Sequence, residues 1–461
     1  MDSNEDAARL TVRPYKPMTE TVGECFPCIP SSPLLSRRPH ILTQSKMTES
    51  PSKSLRVLIS GAGIAGPILA YWLGKGGADV TVVERAREIR KEGQTVDIRH
   101  EALQIIKAMG VEQSVRQYLT KEKGLNFVNS RGGVVGRFPE DGSASFTAEI
   151  EIVRGQLANL LYEHSKDKAH YIFGDSINSF EERAEDILIT FASGKSDKYD
   201  ILIAAEGLHS RTRVTAFQQD IRAPLRPLHQ WVAYFSLPRE NSDDDWSQWF
   251  VAGDQRSVLF RPQEQGKMCA CFMNYDPSGE QSGILSAKLS TEKQKEYFAS
   301  LFSNKEWDKK ERLVKALWDA EDFYVQEIAQ VKMHRWSTGR VVCVGDTAFC
   351  PTPITGLGTS AGIVGSYVLS AALIQHGRDY AKAFQEYEGR LRPWIEQAQS
   401  LPPGAPALLF PKSALAVRIF HALIFVVALI VRSGLPQLIA KILPSFEKRI
   451  ELPSFDLFER A

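Results

Sequence analysis

The sequence predicts an α/β chain in which a Rossmann-like dinucleotide-binding unit is interleaved with a mostly antiparallel β-sheet unit and followed by a C-terminal helical segment. Three observations carry this. A glycine signature, Gly61-Ala62-Gly63-Ile64-Ala65-Gly66, stands between an apolar run and a helix-forming stretch. A second glycine-rich stretch, Gly345-Asp346-Thr347-Ala348 followed by Gly356-Leu357-Gly358, lies nearly 280 residues later. Between them short aromatic and β-branched runs alternate, so the second unit grows out of the first.

The run Leu55-Arg56-Val57-Leu58-Ile59-Ser60 reads as a buried strand feeding the front glycines. In this context Gly61 allows the tight turn, Gly63 lets the backbone approach a pyrophosphate at a helix N-terminus, and Gly66 permits close helix–strand packing. A second strand, Ala78 to Val83, ends in Glu84, placed to accept hydrogen bonds from an adenosine ribose. An acid there disfavours a 2′-phosphate, so FAD or NAD fits this pocket better than NADP.

With 461 residues, 43% of them hydrophobic, the chain is long enough to bury a large core and to divide into two or three domains. A net charge of +1 with mixed signs points away from a nucleic-acid surface. Six cysteines are too sparse for a secreted disulfide scaffold, and a reducing, cytoplasmic compartment is expected. Cys25-Phe-Pro-Cys28 has redox or zinc spacing but no second pair, and no metal-ligand cluster is visible. Residues 1–50 are rich in Pro, Ser and Thr and are expected to form a disordered extension. Met47 lies eight residues before the first strand, so the leading segment reads as a dispensable leader or a consequence of start-site choice.

Beyond Glu84, Gly93 to Arg99 leads into a helix ending at Gly110. Strand-like pieces with turns at Arg131-Gly132-Gly133 and Asp141-Gly142 fill 125–153, and the piece Ile152 to Leu157 enters a helix running to about Ser165. A strand ends at Glu206-Gly207. From 228 to 335 the runs Trp231–Phe235, Gln248–Phe250, Ser257–Phe260 and Cys269–Met273 suggest an antiparallel sheet, with a Lys/Glu-rich helical region over 290–318. Val341 to Val344 then restarts a buried strand. The expected division is therefore 51–120, 150–225 and 336–400 for the dinucleotide-binding domain, 121–149 and 226–335 for a substrate domain, and 401–461 for the helical region.

This set of motifs resembles the group A flavoprotein monooxygenases, which include para-hydroxybenzoate hydroxylase, salicylate hydroxylase and the tetracycline-inactivating monooxygenases. The resemblance spans roughly residues 55 to 395. It implies that the front fingerprint is Gly61, Gly63, Ala65 and Gly66, with Glu84 and Arg85 at the ribose. It implies that Arg154 contacts the flavin side, that Glu206-Gly207 with Ser210 and Arg213 is the motif serving both FAD and the nicotinamide, and that Asp346 binds the ribityl chain. Pro353, Gly356, Gly358 and Thr359 would approach the flavin ring. The implied cofactor is FAD, with NADPH or NADH as reductant. O2 adds at C4a of the reduced flavin, and the hydroperoxide gives one oxygen to an electron-rich ring or alkene. The implied partners are O2 and a small hydrophobic substrate.

Three positions depart from the family pattern. Glu206 replaces the usual Asp, Phe349 a common His, and Ser360 a usual Asn. FAD binding is expected to survive, while nicotinamide handling, substrate choice and ring motion are open to change. Arg99 and Tyr234 are the candidate catalytic residues. A salt-bridged surface role competes for Arg99, and ordinary packing competes for Tyr234 as for Trp231, Phe250 and Phe272. His100 and His209 have acid–base chemistry, and the sequence alone points to no particular partner for either. Competing functions are a flavin-fold scaffold for non-redox cyclisation, a metabolite-binding protein without enzymatic activity, and a two-component or halogenating flavoprotein. The Trp-x-Trp-x-Ile order expected of a halogenase is absent.

After Pro402-Pro403-Gly404, the stretch Ser413 to Ile430 is apolar but interrupted by Arg418 and His421. Its uninterrupted part is shorter than the roughly 20 residues of a span. A packed soluble helix is favoured over peripheral membrane contact, and that over a true span. Leu435 to Phe446 offers a second apolar and basic helix.

Overall fold

The apolar run before the front glycines forms the strand Arg56–Ser60, and Val57, Leu58 and Ile59 are wholly buried, as a central parallel strand covered on both faces requires. In the computed structural model, residues 54–90, 93–120, 122–140, 150–263, 266–279, 289–305, 307–433 and 449–459 are described. They belong to one compact unit, Lys53–Ala461. The 1–50 extension with its Cys25–Cys28 pair, the Asp141-Gly142 turn and the helix expected from Leu435 lie outside the described residues.

Arg56–Ser60 sits in a six-stranded sheet ordered Ser337–Thr338, Val341–Cys343, Ile201–Ala204, Arg56–Ser60, Asp79–Glu84, His170–Phe173. All its pairings are parallel except that of the two-residue edge strand. The strand order reverses between Arg56–Ser60 and Ile201–Ala204, so a crevice opens beyond their carboxyl ends, where such sheets bind ligands. Two helices line up behind it. Ala65–Lys75 leaves the glycine turn, and Gly358–His376, buried from Ser360 to Leu373, packs against it. A helix this apolar all round belongs inside a protein. Trp72 from the first and Tyr367 from the second meet Phe455 and Phe458, which ties the chain's end to this core.

The second sheet has seven strands, in the order Tyr324–Val331, Leu225–Pro238, Lys267–Tyr275, Arg256–Gln263, Ser247–Gly253, Gly124–Val128, Val134–Pro139. It is antiparallel apart from the parallel pair Ser247–Gly253 and Gly124–Val128. Side-chain alternation gives the sheet two different faces. On one, Trp231, Phe235, Phe250 and Phe272 bury against Phe298, Phe302, Leu313 and Leu317 of helices Thr291–Ser303 and Lys310–Asp319. On the other lie Tyr234, Cys269, Cys271, Met273, Trp249 and Leu259. A short antiparallel pair, Thr95–Ile98 with Ile150–Val153, links this inner face to the helix Gly358–His376. Tyr324 donates its hydroxyl to Gln94 Oε1 at 2.5 Å, and Gln263 reaches the Gly93 carbonyl.

The C-terminal helix Ala414–Arg432 departs from the packed arrangement favoured above. None of its residues is buried. One stripe, Phe420, Ile424, Ala428 and Val431, lies against Phe127, Phe138 and Leu125 at the sheet edge, while the opposite side is exposed. By length and composition this helix could cross a membrane. Sequence could not distinguish the cases, because a core helix and an exposed apolar helix have the same composition.

Candidate flavin and substrate site

The front turn is built so tightly that only glycine fits. Gly61 holds φ +108°, and a Cβ there would stand 2.7 Å from the Ala205 carbonyl oxygen. At Gly66 a Cβ would come 2.0 Å from the Gly61 carbonyl oxygen. Ala65, buried, starts the helix. Glu84 closes the turn from the neighbouring strand: its Oε2 accepts from Ala62 N and its Oε1 from Ala86 N, both at 2.9 Å. Arg85 beside it is exposed. Gly63 faces Arg154, whose Nη2 lies 3.2 Å from where its Cβ would be. Arg154 opens the helix Arg154–Ser165 and so reaches the front turn from a different element.

The back motif arrives at the same place. A Cβ on Gly345, at φ +61°, would lie 3.5 Å from that of Ala65. Asp346 follows with an exposed side chain, yet protein surrounds it closely enough that desolvation raises its pKa against the opposing charge of Arg154. A group that is accessible and still enclosed lies on the floor of a cleft. Thr347 joins this turn to the middle motif, because Gly207 N donates to its Oγ1 at 2.8 Å. Wholly buried Arg213 donates Nη1 to the Thr347 carbonyl and Nη2 to those of Leu208 and Ile221. Glu206 is engaged on both oxygens: Ser60 and Thr212 hydroxyls donate to Oε1, and the Ser210 hydroxyl and Thr212 N to Oε2.

Beyond Asp346 the chain makes an open cradle. Thr352 sits at φ +102° with its Oγ1 buried and, among the described residues, unpartnered. Pro353 starts a single turn, Pro353–Thr355, and Gly356 follows at φ +64°. Gly358 and Thr359 begin the helix Gly358–His376, with no atom within 4 Å of a Cβ on Gly358. This fits a dinucleotide carrying a flat ring. The glycine turn has room for pyrophosphate at a helix N-terminus, and the back loop leaves space beside an orphaned hydroxyl.

Comparison with known proteins decides the family. The family model described as "FAD binding domain" matches residues 54–399. The chain belongs to this family. It is an FAD-dependent monooxygenase, and its fold is that of the group A enzymes named above. Monooxygenase CTB7 of Cercospora beticola is 33% identical over 375 residues, covering 78% of this chain and 89% of that protein. The FAD-dependent monooxygenase asL6 of Sarocladium schorii is 30% identical over 436 residues, covering 88% and 99%. Among solved structures, tetracycline destructase Tet(55) superposes with a TM-score of 0.68 at 29% identity, covering 87% of this chain and 99% of its own.

In this flavoprotein Arg99 follows the strand Thr95–Ile98 beside the back loop. Its Nη2 donates to Asp97 Oδ2 at 2.8 Å, its backbone N donates to Ser360 Oγ, and a Cβ on Gly356 would lie 2.9 Å from Asp97 Oδ2. Arg99 therefore has its ion pair and its place at the flavin loop together. Ser360, in place of the usual Asn, anchors that strand. Phe349, in place of His, is buried against Trp336 at 4.7 Å. Tyr234 stacks on Tyr324 at 4.9 Å on the inner sheet face, and burial pushes its hydroxyl pKa well up. Trp231, Phe250 and Phe272, its companions in the sequence, point to the helix-covered face and serve packing. His209 is exposed, and desolvation is the main cause lowering its pKa. The open groove of about 550 Å³ along helix Tyr380–Ala398 contains none of these residues.

One polar group on the inner face had no sequence signal. Arg261 donates Nη2 to Glu122 Oε2 at 2.7 Å and to Glu151 Oε2 at 2.9 Å, and both carboxylates are buried. Glu151 stands opposite Asp97 across the short strand pair. Burial pushes Glu151 up to about 8, with Glu122 and Asp97 adding to the rise and Arg261 opposing it.

Proposed function

We propose that this enzyme uses NADPH or NADH and O2 to hydroxylate or epoxidise an apolar, aromatic or polycyclic secondary metabolite. The observation that carries this is the inner face of the seven-stranded sheet, where Tyr234, Trp249, Leu259, Cys271 and Met273 gather on the side that Tyr324 ties to Gln94, just before the strand Thr95–Ile98. The likeness to a tetracycline destructase, whose name gives a polycyclic substrate, supports the same class.

Bound FAD supplies the activation of O2, and the chain's residues position the reactants. Gly63 lets the backbone approach the pyrophosphate, Gly61 and Gly66 allow the tight turn that seats it, Ala65 opens the helix behind it, and Glu84, with Arg85 beside it, takes the adenosine ribose. Arg154 and Asp346 hold the ribityl side. Pro353, Gly356, Gly358 and Thr359 edge the ring. Glu206 acts through its neighbours, fixing the Gly207 turn that Thr347 receives. Tyr234 stays a neutral phenol, because burial disfavours its anion, and donates a hydrogen bond to a substrate oxygen. Arg99 holds the strand beside the ring and faces the substrate. Residues 51–120, 150–225 and 336–400 carry the cofactor, and 121–149 and 226–335 the substrate. The enzyme works in the cytoplasm, with its exposed C-terminal helix against a membrane surface.

The test uses the purified flavoprotein with tetracycline and a panel of apolar polycyclic phenols under labelled O2. Consumption of NADPH or NADH with one labelled oxygen atom in a product supports the proposal. Label arriving from water, or turnover independent of either nicotinamide, overturns it.

A further inference from the structure

The helix Ala414–Arg432 has two apolar sides, and among the described residues only one of them has a protein partner. Val417, Phe420, Ile424, Ala428 and Val431 recur every three or four residues and meet the sheet edge. A Cβ on Gly136 would lie 2.7 Å from Ile424, so glycine lets the helix come this close. The outward side repeats the same spacing with Leu415, Ile419, Leu423, Val426 and Ile430, each 45–67% exposed, and Phe425, Val427 and Leu429 widen it. So continuous an apolar surface exceeds what a soluble protein leaves in water.

Charge along the helix names the covering partner. From Lys412 to Ser433 there is no acid, while Lys412, Arg418 and Arg432 are exposed near the ends and the first turn. Long basic side chains that flank an apolar face reach up to anionic headgroups while that face sinks among acyl chains. Because the inner stripe stays on the sheet, lipid cannot surround the helix. It lies along the interface for about 28 Å of its length, at 1.5 Å per residue.

Beneath the helix an apolar seam leads inward. Phe420 meets Phe127 at 5.8 Å, Phe127 stacks on Trp249 at 5.9 Å, and Trp249 and Leu259 belong at once to this edge cluster and to the cluster holding Tyr234. Among the described residues two buried nitrogens in these elements have no hydrogen-bond partner, Nε1 of Trp249 and Nε2 of His421. Buried polar nitrogens left unpaired cost free energy, and a ligand oxygen passing the seam would accept from the Trp249 indole N–H.

We propose that the outward face of Ala414–Arg432 lies in the surface of an anionic bilayer, and that an apolar substrate dissolved in that bilayer reaches Tyr234 along Phe420, Phe127, Trp249 and Leu259. This rests on the apolar-substrate function proposed above and adds where the substrate comes from. The experiment incubates the full flavin-loaded chain with phosphatidylcholine vesicles, with and without phosphatidylserine, carrying a diazirine-bearing polycyclic hydrocarbon as a photoprobe. Sedimentation with the serine-containing vesicles, at least tenfold stronger than with neutral ones, and probe adducts on the peptides of Phe127 or Trp249 are expected. The double variant Leu423→Glu/Val426→Glu keeps its flavin and loses both signals. No sedimentation, sedimentation unchanged in that variant, or sedimentation without seam adducts overturns the proposal, as does a dimer buried through this face in solution. Flavin content and anaerobic bleaching by NADPH and NADH, read on the same sample, separate this failure from failure of the oxygenation itself.

Discussion

A Cβ added to Gly66 would stand 2.0 Å from the carbonyl oxygen of Gly61. Non-bonded carbon and oxygen do not approach so closely, so the first turn of Ala65–Lys75 and the turn that leaves Arg56–Ser60 are compatible only without a side chain there. Gly66→Val should force the two apart and open the pyrophosphate seat. We expect at least a tenfold fall in bound FAD per chain, measured by absorbance after gel filtration, with far-ultraviolet circular dichroism retained.

Arg213 is a wholly buried cation whose partners are three backbone carbonyls from three places in the chain. Arg213→Met keeps the volume and leaves those acceptors unpaired. A loss of about 2–4 kcal/mol in urea unfolding is expected from orphaning hydrogen bonds to a charged group. Arg213→Lys should recover part of it. FAD should be lost at lower urea concentration in both variants, since Arg213 holds the Thr347 turn beside Asp346.

Glu206 satisfies four donors, and its reach across to Ser60 needs the full length of a glutamate. Glu206→Asp restores the residue common in the family but shortens that reach. It should cost about 1–2 kcal/mol of stability through weakened charge-assisted hydrogen bonds. The rate of flavin bleaching by nicotinamide should stay within about twofold on the same grounds, because the carboxylate is occupied within the protein.

Glu151 gives a signature in pH. Its folded pKa, about 8, lies above the ordinary 4.5, so its native environment prefers the protonated form. Stability from this group is fully present below pH 4.5 and is lost as pH rises towards 8, because the unfolded chain ionises first. Glu151→Gln mimics the protonated state. Its melting temperature should match wild type near pH 4.5 and exceed it by a growing margin up to about pH 8, then by a constant one. A margin that does not change with pH would show Glu151 ionised in the fold.

The convergence of the candidate cofactor motifs was legible because each lies in a contiguous stretch. Gly61 to Gly66, Glu84 and Asp346 each announce a turn or a strand end, and topology then brings them to one crevice. The substrate half was legible only in outline. Whether Tyr234 or its neighbours Trp231 and Phe235 face inward depends on strand register, which irregular pairing between Pro227 and Gln230 shifts. Arg261, Glu122 and Glu151 come from separate segments and resemble ordinary charged positions until folding buries them together. Thr347 gave no signal either, since its role is to receive Gly207 from a segment 140 residues away.

The central claim is that three distant motifs make one FAD seat from which a nicotinamide reduces the flavin. The most direct measurement follows flavin absorbance of the purified chain under anaerobic conditions as NADPH and then NADH is added. Co-purifying FAD that bleaches with at least one donor, and is restored by air, is the expected result. A chain that folds without FAD, or whose bound FAD stays oxidised with both donors and with apolar polycyclic ligands present, would contradict it.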